Sequence, residues 1–181
     1  MKDKMFEALV KSRTIVISEP VSSELVEKTT RLLTFMENLG IQKVDLGLPG
    51  AGPYHLEHID AMMSHITEND FKIRPGAAVR TLMNDIEPLV DLQVKHGTPI
   101  QASAFLGTSP IRQYTEGWTI EKLLSTMEKA VSYAVDNDVQ VMFVTEDTTR
   151  SKPEDIKAIY QRAMEMGVRR LCICDTCGHV T

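Results

Sequence analysis

Short β-branched runs alternate with longer amphipathic stretches along the whole chain, and this alternation constrains the fold more than any other feature. The runs begin near Thr14 (TIVIS), Lys43 (KVDLGLP), Lys72 (KIRPGAAV), Pro99 (PIQASAFLG), Val139 (VQVMFVTED) and Arg170 (RLCICDT). Helices are predicted between them. The first covers about Ser22 to Leu39, with Leu25, Leu32, Leu33 and Met36 at helical spacing, and stops at Gly40. The second covers about Tyr54 to Ile66, and the third about Leu82 to Lys95 before Gly97. In the fourth, Thr119 is the expected cap of a stripe formed by Ile120, Leu123, Leu124, Met127, Val131 and Val135. The fifth enters through Ser151-Lys152-Pro153 and ends at Gly167.

This order predicts an α/β fold with a parallel sheet, built by right-handed crossovers that set successive strands side by side. Two architectures fit: a (β/α)8 barrel, or an open doubly wound sheet. Run starts are about 31 residues apart, against about 250 residues for a typical eight-unit barrel. The 181 residues are one domain by size, 1–181, and large enough for a core without disulfides or metals. An open sheet is complete at this length, whereas a barrel is expected to be cut in the loop after its sixth strand.

Composition narrows the function classes. With 20 Lys and Arg against 25 Asp and Glu, the chain lacks the basic excess of a nucleic-acid or polybasic membrane surface. Aromatics at 6% are too few for a base-stacking platform. No apolar run is long enough to span a membrane, and the start MKDKMFEALVKSRT has no signal-peptide stretch, so a cytoplasmic setting is expected. The three cysteines all fall within Cys172 to Cys177, which is no disulfide framework.

Functional groups belong at the carboxyl ends of the strands in either architecture. There the runs end in Asp45-Leu46-Gly47, in Gly107-Thr108-Ser109, in Glu146-Asp147-Thr148-Thr149-Arg150 and in Asp175-Thr176. Carboxylates gathered with hydroxyls suit a divalent cation or a small polar substrate. For any one of these residues, service as a helix cap is an equal reading; the recurrence over four loops favours a site. The stretch Gly47-Leu48-Pro49-Gly50-Ala51-Gly52 lacks the spacing of a phosphate-binding loop and reads as a tight turn. Cys172-x-Cys174-x-x-Cys177-x-His179 offers four soft ligands for zinc, but no second, separated pair follows it. Cys172 and Cys174 also read as buried strand residues, and Cys177 as the more reactive thiol. His55, His58 and His65 share the second helix and carry no metal-ligand pattern.

The ordered set Leu39-Gly40-Ile41-x-x-Val44-Asp45-Leu46-Gly47-Leu48-Pro49, Phe105-Leu106-Gly107-Thr108-Ser109, Glu146-Asp147-x-x-Arg150-Ser151-x-Pro153-Glu154 and Cys174-Asp175-Thr176-Cys177-Gly178-His179-Val180-Thr181 resembles the isopropylmalate synthase, homocitrate synthase and hydroxymethylglutaryl-CoA lyase family. The resemblance runs from about residue 13 to the end and implies a metal-dependent (β/α)8 barrel. It implies an acyltransferase that condenses acetyl-CoA with a 2-oxo acid, a divalent cation polarising the oxo group. A lyase or aldolase of the same family, or a non-catalytic partial-barrel subunit, are the alternatives, and a homo-oligomer is expected. Carried over by position, Glu146 and Asp45 stand as catalytic carboxylates, with Asp45 in place of a family Glu. Arg80, Thr176 and Ser109 stand at substrate-binding positions. The departures are specific. The family's Arg-Asp-Gly-Glu-Gln at strand one is replaced by Arg13-Thr14-Ile15-Val16-Ile17-Ser18-Glu19-Pro20, leaving Glu19 as the one candidate metal ligand there. Ser103 stands where synthases often have a histidine, and Cys172 where some have an asparagine. The family's His-x-His metal pair belongs to strand seven, past Thr181. By this reading the chain alone is inactive.

Overall fold

The computed structural model describes residues 23–180, so the Thr14 run and Glu19 lie outside the described residues. The elements are α1 (Ser23–Asn38), β1 (Lys43–Asp45), α2 (Pro53–Glu68), β2 (Arg74–Arg80), α3 (Met83–His96), β3 (Gln101–Gly107), α4 (Pro110–Glu116), α5 (Ile120–Asp136), β4 (Gln140–Glu146), α6 (Pro153–Glu165) and β5 (Arg170–Ile173). Short 3-10 turns at Pro49–Ala51 and Thr148–Arg150 follow β1 and β4. The five strands correspond to the last five runs, and the Gly-rich stretch is the turn expected of it.

All strand pairs are parallel, in the order β1-β2-β3-β4-β5. This order removes the doubly wound alternative. A doubly wound sheet reverses direction at a switch point and places helices on both faces. Here the order never reverses, so right-handed crossovers put every helix on one side and the sheet curls into a half-barrel. The curl is visible in one amide: the Gln101 Oε1 on β3 accepts from Lys43 Nζ of β1 at 3.0 Å and from Arg170 Nη1 of β5 at 2.7 Å. Each of those side chains reaches across two strand spacings, about 9.6 Å in a flat sheet, on the inner face of the curl.

Side-chain alternation assigns the two faces. Along β3, Ala102, Ala104 and Leu106 are buried, while Gln101, Ser103 and Phe105 are half-buried. Along β4, Val141, Phe143 and Thr145 are buried, while Met142, Val144 and Glu146 are not. The buried set packs outward against Ile59, Met63 and Ile66 of α2, Ile86 and Leu89 of α3, Leu123, Met127 and Val131 of α5, and Ile159 of α6. This core lies between sheet and helices. Thr119 caps α5 as expected, its hydroxyl accepting the Lys122 N–H at 3.3 Å. At α6 the expectation needs correction. Pro153 does open the helix, but the cap position is Lys152 and makes no side-chain bond, because Ser151 Oγ donates instead to the Asp147 carbonyl at 3.1 Å. Helix α4 is an element that the periodicity did not announce.

Candidate active site

The carboxyl ends of β3, β4 and β5 surround a concavity of about 350 Å³, lined by Ser109, Arg112, Glu146, Arg150, Thr176 and Cys177 among others. Three of the predicted residues, Glu146, Ser109 and Thr176, therefore meet. Glu146 is the last residue of β4, paired with Gly107 of β3, and points to the concave face. Its carboxylate makes no hydrogen bond or ion pair among the described residues. The Thr176 hydroxyl accepts the Asp147 N–H at 2.8 Å, which leaves its own proton available. Ser109 lines the concavity but is only 2% exposed, so its access to a ligand is narrow.

Hydrogen bonds between the two loops hold this arrangement. Asp147 adopts the left-handed conformation at φ 55°, a conformation that the short Asp side chain tolerates. It grips Arg150: Nε donates to both carboxylate oxygens at 2.8 and 2.9 Å. The guanidinium, with help from Ser109 and Cys177, holds the Asp147 carboxyl below its ordinary pKa, despite the opposing effect of desolvation. Behind the loops, Thr145 Oγ1 lies 2.6 Å from both Thr148 Oγ1 and Tyr160 Oη. Tyr160 donates to the Cys172 carbonyl at 3.1 Å, and burial is the main reason its phenol pKa is raised. Asp175 accepts from Thr149 Oγ1 and from the His179 N–H, at 2.7 and 2.8 Å. The Thr149 hydrogen bond is the first cause of its lowered pKa.

Asp45 and Arg80 do not line this concavity. Asp45 is exposed on the concave face of β1, and its Oδ1 accepts the Gly47 N–H at 2.9 Å. Enough protein surrounds the carboxyl that partial desolvation raises its pKa, against the pull of the Gly47 and Ala78 amides. Arg80 is committed to Asp85 through Nε at 2.8 Å and Nη2 at 2.7 Å, and to the Gly50 carbonyl at 2.9 Å. The Asp85 hydrogen bond is the first cause of its raised pKa. In this structure Arg80 ties the turn after β1 to the start of α3.

A match to known proteins places this geometry in a family. The HMGL-like family profile matches residues 19–181. The chain belongs to the HMGL-like family. Its HMGL-like relatives include the 2-isopropylmalate synthase of Lactococcus lactis subsp. cremoris (strain SK11), 29% identical over 87% of this chain and 30% of that protein. The 2-isopropylmalate synthase of Microcystis aeruginosa is 30% identical over 86% of this chain and 29% of its own length. The homocitrate synthase of Pyrococcus horikoshii is 24% identical over 84% of this chain and 40% of its own length. The chain thus spans well under half the length of these relatives.

The divalent cation expected of an HMGL-like barrel finds no ligand set among the described residues, outside which Glu19 lies. Among the described residues no three His, Cys, Asp or Glu side chains converge on one point. The same holds for the zinc arrangement, since the Cys177 sulfur sits 3.2 Å from Arg150 Nη2 and the His179 amide is turned to Asp175. Two cationic residues at the site had no assigned role from sequence. Arg150 was part of the Glu-Asp-x-x-Arg motif, and its neighbour Asp147 gave the only clue. Arg112 lies on α4, with its guanidinium 5.8 Å from the Trp118 ring centroid, and no sequence pattern pointed to it. Chemically, the concavity combines an unpaired carboxylate, two guanidinium groups and a donor hydroxyl. It suits an anionic ligand.

Proposed function

We propose that this chain supplies the glutamate-bearing strands of a barrel that condenses acetyl-CoA with a 2-oxo acid. The observation that carries the reading is the unpaired Glu146 carboxylate facing Arg112, Arg150 and Thr176, in a chain whose relatives are named synthases. Glu146 exchanges the proton of the acyl methyl group or of the hydroxyl that forms at the oxo carbon. Arg112, whose longer contact to Glu116 at 3.5 Å is exchangeable, binds the carboxylate of the oxo acid; Arg150, held by Asp147, adds positive charge beside it, and Thr176 orients it by donating a hydrogen bond. Asp45 acts from the far side of the concave face. The divalent cation belongs to the family's chemistry as a Lewis acid, and the described residues supply no set to hold it. Condensation is preferred to cleavage because the relatives are synthases.

One observation favours a second reading, a non-catalytic partial barrel: Arg80 is occupied by Asp85 and no cation ligand set forms among the described residues. A single assay separates the two. The chain, fused to the C-terminal strand–helix units of a synthase relative so that the barrel is complete, is incubated with acetyl-CoA, a panel of short 2-oxo acids and a divalent cation, and the condensed acid is measured by mass spectrometry. Product formation that falls about 10²–10⁴-fold in Glu146→Gln supports the enzyme. Product unchanged in Glu146→Gln removes that carboxylate from the chemistry, and no product from the completed barrel supports the non-catalytic reading.

A further inference from the structure

The Cys172-x-Cys174 segment is not used by the proposed chemistry, yet its sulfurs are held together. Cys172 lies in β5 opposite Val144, on the concave face that carries Glu146, and Cys174 follows the last residue of the strand with its sulfur beside that of Cys172. Their Sγ atoms are 3.8 Å apart, and both residues are half-buried. The main chain beneath them is fixed by three hydrogen bonds: Tyr160 Oη to the Cys172 carbonyl at 3.1 Å, and two between Cys174 and Thr148, each at 3.0 Å. Neither sulfur has another hydrogen-bonded partner among the described residues. Cys177 stands apart, exposed and against Arg150.

We propose that Cys172 and Cys174 form a two-thiol chelating site for a soft, thiophilic metalloid of the trivalent arsenical class. The donor set decides the class. Two neutral thiols attract soft acceptors and leave hard divalent cations to oxygen ligands. Among the described residues no third ligand of the His, Cys, Asp or Glu kind converges with them, which disfavours a tetrahedral zinc centre. Burial, the Cys172 neighbour and the Glu146 charge all push the Cys174 thiol pKa up. Attack by one thiolate is therefore slow. A chelate does not depend on one thiolate, because the first arsenic–sulfur bond makes the second intramolecular. The reaction balances without an oxidant. Both S–H bonds and the arsenic–oxygen double bond of an organoarsenic(III) oxide break, two arsenic–sulfur bonds form, and the oxygen leaves with both protons as water. Arsenic remains trivalent. The occupied site lies beside Glu146 on the concave face.

The test uses phenylarsine oxide at equimolar ratio with the native chain, read by intact mass and by titration of free thiols. The expected result is one phenylarsenic adduct, loss of two of the three free thiols, and reversal by excess ethanedithiol. Cys177→Ser should keep the adduct; Cys172→Ser and Cys174→Ser should each abolish it. No adduct on the native chain, an adduct that survives in either of the latter variants, or one lost in Cys177→Ser overturns the proposal. Should a variant unfold, the native chain is treated with dibromobimane and its peptides mapped. A cross-link joining Cys172 to Cys174 supports the pair, and one involving Cys177, or none, overturns it.

Discussion

A methyl group added at Gly50 would collide with the Asp85 carboxylate, which is fully buried and held by Arg80. The turn after β1 therefore needs glycine for close approach. Gly50→Ala must displace a buried charge or its arginine, and should lower the unfolding free energy by about 1–3 kcal/mol in urea titrations. An unchanged midpoint would mean that the turn shifts freely. Asp147 makes a different prediction. Its ordinary pKa is 3.8, and Arg150 holds the folded value below that. A carboxyl with a depressed folded pKa stabilises fully above its unfolded value and loses that contribution as pH falls through the folded one. The stability gap between the native chain and Asp147→Asn should stay constant from neutrality to roughly pH 5 and close below about pH 4. A gap that persists in acid would sink the ion pair as its origin. At this scale the motif Glu-Asp-x-x-Arg was legible but its division of labour was not. Only the fold shows that Asp147 and Arg150 bind each other through a 3-10 turn and leave Glu146 unpaired.

The elements were legible wherever burial imposed a period. The apolar stripe of α5 and the alternation of β3 and β4 follow directly from one face meeting the core. Helix α4 buries no residue, so Pro110-Ile111-Arg112-Gln113-Tyr114-Thr115-Glu116 carries no stripe to read. Its place is set by tertiary bonds: Gln113 Nε2 donates to the Thr108 carbonyl at 3.0 Å and to Asp155 Oδ2 at 2.9 Å. Arg112 reaches the site only because that helix forms. A cap, by contrast, is local and readable. Thr119→Ala removes the acceptor for the Lys122 N–H and should cost about 1 kcal/mol. Hydrogen exchange should quicken at the first turn of α5; protection equal to the native chain would show that the side chain does not cap it.

For the whole molecule, the sequential strand order and the one-sided helices have a common consequence. Among the described residues, the buried apolar side chains from α1 to α6 join one cluster, so these helices share a core. Phe143 sits at its centre, fully buried on β4 between the neighbouring strands β3 and β5. Trp118 is the single tryptophan, packed against the edge of the same cluster next to Arg112. A shared core predicts a shared transition, so Trp118 fluorescence and far-UV circular dichroism should give coincident urea curves. Phe143→Ala removes an aromatic ring from the centre and should lower stability by about 3–5 kcal/mol in both signals alike. Curves that separate, with the fluorescence change preceding loss of helix, would mean that α4 and the site concavity unfold before the sheet. The concavity would then be a locally unstable edge of the half-barrel, and the positions of Arg112 and Ser109 would depend on a ligand to fix them.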